Sequence, residues 1–184
     1  MGTQSISSPS VTVTMQASVR NTVNTDVQTV SLQQGRASTY TFTSGTTDSE
    51  FNRLWESKAR AITSGNNEDI DVYDLGTLDI GAGAGLDALG QSWAIAEICG
   101  IHITNRSTSV GSLVVGGNGT TAAWNSIFNG DDDAVTILPP NCEMALFTAS
   151  DPAWAVADTS NHLLRIAASG GDVTYDITIL ARSA

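Results

Sequence analysis

The feature that most constrains the fold of this chain is a two-residue alternation of apolar and polar side chains. In VTYDITILAR, residues 173–182, valine, tyrosine and isoleucine alternate with threonine and aspartate, interrupted by Leu180. The same period runs through SVTVTMQASV, residues 10–19. Successive side chains of a strand point to opposite faces of a sheet, so these segments predict strands that bury one face. Such faces are most simply buried by packing sheet against sheet.

Further strand-like segments follow one another with turn residues between them. VQTVSL (residues 27–32) and STYTFTS (residues 38–44) alternate, and QQGR between them supplies a turn. SWAIAEICGIHITN, residues 92–105, is apolar on both faces and predicts a central strand. HLLRIAA and VTYDITILAR, joined by SGGD, predict a terminal hairpin.

One segment fits two structures. In DSEFNRLWESKARAI, residues 48–62, the apolar positions fit a short helix, but the end of the segment also alternates as a strand. The surrounding strands favour the strand interpretation, because local and global preferences then agree. The pattern as a whole predicts an all-β fold: an antiparallel β-sandwich or jelly-roll-like domain with an extended N-terminal arm. We expect residues 1–20 to form the arm and first strand, and residues 21–184 to form the sandwich domain.

Composition narrows the classes of partner. Of the 184 residues, 41% are hydrophobic, which is enough for a core, and the net charge is -11 with Lys58 as the single lysine. Such a negative field repels phosphate backbones and anionic lipid, so we expect neither nucleic acid nor a membrane as a partner. Nothing near 18 consecutive apolar residues occurs, and the N-terminus lacks the pattern of a secretory signal.

Other short motifs have simple structural interpretations. Cys99 and Cys142 make no disulfide framework, although their pairing stays open. The sequons at Asn105 and Asn118 are interpreted as chance matches. GAGAGLDA, residues 81–88, has the spacing of a dinucleotide-binding loop but lacks room for the required helix, so a surface loop and no cofactor are expected.

The aspartate triplet in NGDDDAVTILPPN is the most conspicuous acidic cluster. Asp131, Asp132 and Asp133 have the ligand type of a calcium site, but their order does not match an EF-hand loop. Asn-Gly followed by aspartate is also strong turn chemistry. We interpret the triplet as a turn before a strand and leave calcium binding open.

Catalytic and metal-binding signatures are weak. His102 and His162 are the two histidines, and no nucleophile elbow or metal-ligand spacing accompanies them. We therefore expect no catalytic residue, no metal site and no enzyme. The four tryptophans, Trp55, Trp93, Trp124 and Trp154, are interpreted as core or interface anchors, and Trp124 and Trp154 flank turns and are the candidates for subunit contacts.

An ordered set of phrases resembles β-rich structural virion proteins of tailed bacteriophages. EDIDVYDLGTLDIGAGAGLDALG is similar to an EDLDL-G-L-D-FG segment of that class, and AIAEICGIHITNRS to the core strand that follows it. LVVGGN is similar to a VGG turn, and FNGDDDAVTILPP to a D…VTIPPGG segment, with Asn141 where glycine is common. DPAWAV resembles a tryptophan turn, and LLRIAASGGDVTYDITIL a LRI-NSGG--TYDI-I ending. The resemblance covers about residues 65–182.

The resemblance implies a structural role in the virion and no catalytic residues. It implies a capsid decoration or cement protein on the capsid exterior, made in the host cytoplasm, with the major capsid protein as partner. By analogy we expect self-association as a homotrimer, with the N-terminal strands, including Val11, Val13 and Met15, at the contact. The alternatives are a tail or fibre component that stacks a host glycan on its tryptophans, and a depolymerase with two carboxylates in a cleft.

Overall fold

The expected all-β fold is confirmed. The computed structural model describes residues 10–15, 19–23, 26–30, 36–75, 92–117 and 119–183. No α-helix occurs in these ranges, and a single 3₁₀ turn, η1, spans Ser126–Phe128. The strands are β1 (Ser10–Met15), β2 (Val19–Val23), β3 (Asp26–Val30), β4 (Arg36–Thr41), β5 (Thr43–Ser44), β6 (Glu50–Phe51), β7 (Arg53–Ile62), β8 (Asn67–Asp71), β9 (Ile95–Asn105), β10 (Ser112–Gly116), β11 (Val135–Leu138), β12 (Glu143–Phe147), β13 (Trp154–Ala155), β14 (Leu163–Ser169) and β15 (Val173–Ser183).

Nine of these strands form an antiparallel sandwich, and eight of the nine have jelly-roll connectivity. Sheet I has the order β12-β9-β15-β7, with β13 added alongside β9, and sheet II has the order β11-β10-β14-β8. The pairs β7 with β15, β8 with β14, β9 with β12 and β10 with β11 are all antiparallel. These pairs are nested along the chain, as if one long hairpin had been rolled over into two sheets. That nesting is the jelly roll.

The core lies between the two sheets. Strand β15 turns Val173, Tyr175, Ile177 and Ile179 inward, and every one of them is at most 2% exposed. Sheet II meets them with alternate residues of β10 and β14, all similarly buried: Leu113, Val115, Leu164, Ile166 and Ala168. Full burial of one such aliphatic or aromatic side chain contributes about 1.5–3 kcal/mol. The alternation read from the sequence is therefore the pattern that fills this core.

The expected terminal hairpin is wrong. Strand β14 pairs with β8 and β10, whereas β15 pairs with β7 and β9, so the two strands lie in different sheets. The turn between them crosses the edge of the sandwich, with Gly170 at φ 75°. Both strands have one apolar face, and these faces meet across the core instead of lying side by side. Glycine-rich turn chemistry serves a hairpin and a crossing equally well.

Two further strand predictions are confirmed, and one differs from the structure. Residues 53–62 form β7, so the strand interpretation of the ambiguous segment is confirmed. Strand β9 has β12 on one side and β15 on the other, which confirms its central place. The segment expected to be one strand over residues 10–19 instead contains the end of β1 at Met15 and the start of β2 at Val19.

The N-terminal strands form ribbons outside the two sheets of the sandwich. Strand β1 pairs with β4, and β2 pairs with β3, each as a two-stranded antiparallel sheet. The turn residues 33–35 lie outside the described residues. Pairing of β1 with β4 links residues assigned to the arm with residues assigned to the domain, and the boundary at residue 20 stays a prediction.

Candidate functional site

The aspartate triplet forms a turn. The Asp131 carboxylate accepts the backbone N–H of Asp133 at 3.0 Å, which is the local hydrogen bond of an Asx turn. The Asp132 carboxylate accepts the side-chain N–H of Asn125 at 2.6 Å. Asn129 and Gly130 precede the triplet with φ of 56° and 80°, conformations that suit asparagine and glycine. The carboxylates of Asp131 and Asp132 are thus bonded to donors of their own chain.

The acidic residues of β8 are paired with basic or hydroxyl groups. Asp69 binds Arg165 through two hydrogen bonds of 2.8 Å, and this contact raises the pKa of the guanidinium. Glu68 accepts the Tyr175 hydroxyl at 2.5 Å and also pairs with Arg60. Burial raises the pKa of Tyr175, and the hydrogen bond to Glu68 adds to that effect.

In EDIDVYD, residues 68–74, Asp69 and Asp71 lie on the outer face of β8 at intermediate exposure, while Ile70 and Val72 are completely buried. Glu68 lies opposite the core residue Ile166, so it is on the inner face, where its carboxylate reaches the Tyr175 hydroxyl. In the described part of the chain, no group of three or more metal-ligating side chains is assembled.

Each histidine contacts a carboxylate. His102 Nε2 lies 3.1 Å from Glu143 on the outer face of sheet I, where both side chains are well exposed. His162 Nδ1 lies 3.0 Å from Asp71, and both of those side chains are 17% exposed. The two pairs lie in different sheets and bring no serine or cysteine nucleophile with them. The exposed His102–Glu143 contact is of the surface kind that contributes about 0–1 kcal/mol, whereas the His162–Asp71 contact is largely buried.

Three of the four tryptophans lie in the core. Trp55 is 0% exposed, and Trp93 and Trp124 are 1% exposed. The subunit contact expected for Trp124 is not supported, because its side chain is enclosed by its own domain and its indole N–H donates to the Ala155 carbonyl at 3.1 Å. Trp154, on β13, is partly buried against the core, and its subunit contact stays a prediction. A sugar-stacking platform built on several tryptophans is therefore disfavoured.

The remaining predicted residues lie in β1, of which only the backbone is described, and in the glycine-rich loop. Val11, Val13 and Met15 are alternate residues of β1, opposite Tyr40, Ser38 and Arg36 of β4, so the backbone register places them on one face of that ribbon. Their role as subunit contacts stays a prediction. The glycine-rich loop around Gly83 and Gly85 lies outside the described residues.

Asn105 has a structural role. Its side chain is completely buried, and its amide group donates to the carbonyls of Gly111 and Leu138, each at 2.9 Å. Its amide oxygen accepts the N–H of Ser107. The Asn105 amide therefore ties the end of β9 to the residue before β10 and to the end of β11. This structural role agrees with the interpretation of the sequon as a chance match.

A second apolar cluster lies on the outer face of sheet I. Residues 42–51, here called the strap, place Phe42 and Phe51 over Cys99 and Leu180, and these four residues are at most 9% exposed. The two phenylalanine rings meet edge to face with centroids 5.6 Å apart. This cluster was not predicted from the sequence, although Leu180 interrupts the polar face of β15 and so marks the place where it forms.

The strap is held by a buried arginine. Arg182 is 2% exposed and donates to the carbonyls of Glu50 and Ser150 and to the Glu97 carboxylate, each at 2.9 Å. Asp151 lies 3.8 Å away. Burial of a charge is costly unless it is paired and hydrogen-bonded, and here both conditions hold. Arg182 thus joins the last strand to the strap and to the loop after β12.

Both cysteines are free thiols. Cys99 is completely buried beneath the strap, and desolvation raises its pKa to about 11. Cys142 lies at intermediate exposure directly before β12. The bridge that the sequence left open is not formed.

The described residues expose few large apolar side chains, and two of these lie on the edge strand β11. Val135 is 47% and Ile137 58% exposed, and Val110, in the loop before β10, is 61% exposed. Across the outer face of sheet II, Ile137 lies opposite Val114, and Val114 lies opposite Ala167. We call Val114, Val135, Ile137 and Ala167 the β11 edge patch.

Comparison with known proteins adds no family. No protein-family model matches the chain, and no curated protein matches it. Among the described residues, no helix has the length and apolar character needed to cross a membrane.

Proposed function

We propose that this chain is a structural virion protein of a tailed bacteriophage, a capsid decoration or cement protein that binds the outer face of the shell and stabilises it. The observation that carries the proposal is that the phrases of the resemblance follow one another in order around a single jelly roll. EDIDVYD covers β8 and its turn, AIAEICGIHITN runs into β9, and VTIL is β11. LLRIAASGGDVTYDITIL spans β14, the crossing turn and β15.

The phrases coincide with positions that determine the fold. In LVVGGN, Gly116 and Gly117 have φ of 96° and 73°, and a side chain on Gly116 would collide with Phe128. VTYDITIL supplies a core face of the sandwich. Resemblance at such positions supports a shared architecture, and the virion role follows from that architecture by analogy alone.

The chemistry of the surface agrees with an assembly role. The chain carries 19 acidic and 8 basic residues, yet residues 1–47 contain only Arg20, Asp26 and Arg36 as charged residues. The acidic charge is therefore concentrated on the sandwich, while the N-terminal ribbons are nearly neutral. We propose that the ribbons mediate self-association as a homotrimer. The acidic sandwich is then directed away from the trimer contact, toward the capsid shell or the solvent. Many weak contacts repeated over a shell sum to firm attachment.

Location in the particle tests the proposal. Immunogold electron microscopy with an antibody against this chain is expected to label the whole head surface of purified virions. Adding the purified protein to shells that lack it is expected to raise the temperature at which those shells release their contents. Label confined to the tail, or no label together with unchanged shell stability, contradicts the decoration role.

The trimer is tested with two substitutions on β1. Sedimentation velocity is expected to give three times the 19.2 kDa chain mass for the wild type. Val13→Asp places a charge on the face that holds Val11 and Met15 and is expected to give monomers. Thr12→Asp changes the same strand on its opposite face and is expected to leave the trimer intact. A monomeric wild type, or equal effects of the two substitutions, contradicts self-association through this face.

A further inference from the structure

The apolar cluster beneath the strap is separate from the core of the sandwich. Its buried members lie on the outer face of sheet I, so the sheet itself stands between them and the core: Phe42, Phe51, Cys99 and Leu180. Far fewer buried side chains hold the strap than hold the two sheets together. Because local stability follows the amount of buried apolar surface, opening of the strap requires less free energy than unfolding of the sandwich.

The strap keeps its shape through hydrogen bonds within itself. The backbone N–H of Thr43 donates to the Ser49 carbonyl at 3.0 Å. The Glu50 carboxylate accepts the backbone N–H and the hydroxyl of Thr47, at 2.9 and 2.8 Å. These bonds depend on no other part of the chain, so the strap can leave sheet I as a unit.

The two ends of the strap are held differently. Asn52, directly after the strap, donates its N–H to the Ala181 carbonyl at 3.1 Å, and its side chain exchanges two hydrogen bonds of 2.8 Å with Ser183. At the opposite end the completely buried Phe42 ring is the anchor, because residues 43–49 are largely exposed. The end at Asn52 is therefore the hinge, and the end at Phe42 is the one that lifts.

Hydrogen bonds from the sandwich to the strap can break without stranding a buried charge. The Ser49 N–H donates to the Ala149 carbonyl at 2.7 Å, and both groups can bond to water once the strap lifts. Arg182 donates to the Glu50 carbonyl, but it also donates to the Glu97 carboxylate at 2.9 Å. The guanidinium keeps that carboxylate when the strap lifts, so opening avoids the penalty of an unpaired buried charge.

We propose that the strap is a lid that lifts from sheet I at its Phe42 end while the sandwich stays folded. Strand β4 ends at Thr41, so no linker separates the buried Phe42 from the N-terminal ribbons. A closed lid fixes the point at which the ribbons join the sandwich, and an open lid frees that point. The lid is thus a conformational device between the two parts of the chain, and it does not rest on the proposed virion role.

Cys99 reports directly on the lid. Its thiol is completely buried beneath the strap, and burial raises its pKa to about 11, so a thiol reagent reaches it only after opening. Cys142→Ser leaves Cys99 as the single thiol of the chain. In that background, the rate at which a dipyridyl disulfide reacts with the protein and releases its coloured thiol measures how often Cys99 becomes accessible.

Two truncations distinguish opening of the lid from unfolding of the sandwich. Phe42→Ala removes the anchor and is expected to raise the labelling rate without urea roughly a hundredfold, since a buried phenylalanine ring stabilises closure by at least that factor. Val115→Ala truncates the core side of sheet II and is expected to lower the urea midpoint measured by circular dichroism. The same substitution is expected to leave Cys99 labelling without urea unchanged, because the lid opens without unfolding the core.

The urea dependence of labelling gives a second signature. In the Cys142→Ser protein, the labelling rate is expected to rise only gently at low urea and to become steep near the unfolding midpoint, because opening of the lid exposes little surface. Gly45→Ala replaces Phe42→Ala if the latter does not fold. Its methyl group would overlap the Glu50 carboxylate inside the strap, and it too is expected to speed labelling.

The outcomes separate cleanly. Labelling that rises with Val115→Ala in step with the unfolded fraction, or that is as steep in urea as unfolding throughout, means that Cys99 is reached only by global unfolding and overturns the proposal. Labelling of the wild-type strap as fast as that of the urea-unfolded chain overturns it as well, because the lid would then not be closed. Fast labelling in the strap variant together with unchanged labelling in Val115→Ala supports the lid.

Discussion

The three core tryptophans offer a controlled comparison of buried indole groups. Trp93 donates its N–H to the Val72 carbonyl at 3.1 Å, and Trp124 donates to the Ala155 carbonyl at 3.1 Å. The indole N–H of Trp55 is equally buried but has no hydrogen-bond partner. Substitution by phenylalanine removes the N–H in each case and leaves a void of similar size.

The three substitutions are expected to lower the free energy of unfolding by different amounts, because the indole N–H has a different hydrogen-bond partner, or none, at each position. The shared void costs about 1–3 kcal/mol. Trp93→Phe adds about 1–3 kcal/mol, because a buried carbonyl loses its donor. Trp124→Phe adds only about 0.5–1.5 kcal/mol, since Ser126 and Asn161 still donate to the same carbonyl. Trp55→Phe removes a buried N–H that has no acceptor, and the resulting gain of about 1–3 kcal/mol offsets the cost of the void.

Urea unfolding followed by far-ultraviolet circular dichroism measures these losses on one scale, independently of which tryptophan remains fluorescent. The expected order of destabilisation is Trp93→Phe, then Trp124→Phe, then Trp55→Phe, with the last close to the wild type. Equal slopes of the transitions are required for the comparison. A loss for Trp55→Phe within about 0.5 kcal/mol of that for Trp93→Phe would refute the reasoning, since it would mean that the Trp55 indole has an acceptor.

Three further predictions concern the strap, one turn and the buried thiol. Arg182→Met is expected to cost about 3–5 kcal/mol of unfolding free energy by stranding the Glu97 carboxylate, and adding Glu97→Gln is expected to recover part of it in the same urea assay. Gly111→Ala is expected to lower the unfolding free energy by about 1–3 kcal/mol more than Gly170→Ala. Both glycines have positive φ, but only at Gly111 would the new methyl group overlap the backbone. The raised pKa of Cys99 means that the unfolded thiol ionises first, so this group is expected to lower stability by roughly 1–2 kcal/mol between pH 9 and 10.5. Cys99→Ala is expected to reduce the fall in urea midpoints by that amount and to leave the part due to Tyr175, whose pKa is also raised by burial.

Sequence alternation predicts strands well here because each strand buries one face, and that requirement is local. It places Val173, Tyr175 and Ile177 on one buried face, as the structure has them. The aspartate turn is also predictable, because asparagine, glycine and aspartate each favour it for a local reason. Strand pairing is not a local property. Strand β14 could bury its apolar face either as a neighbour of β15 in one sheet or in the sheet that packs against β15, and its alternating sequence fits both arrangements.

The strap shows a second limit of local reasoning and how a sequence can still signal it. Arg182 belongs to the polar face of β15, and by periodicity it should be solvated, yet the strap covers it because Phe42 and Phe51 need an apolar surface. Leu180, two residues earlier on the same face, supplies part of that surface. A single apolar residue on a polar face can therefore indicate a covering segment, but not which segment covers it. The exposed Ile137 is the same kind of exception, with no part of the described chain over it.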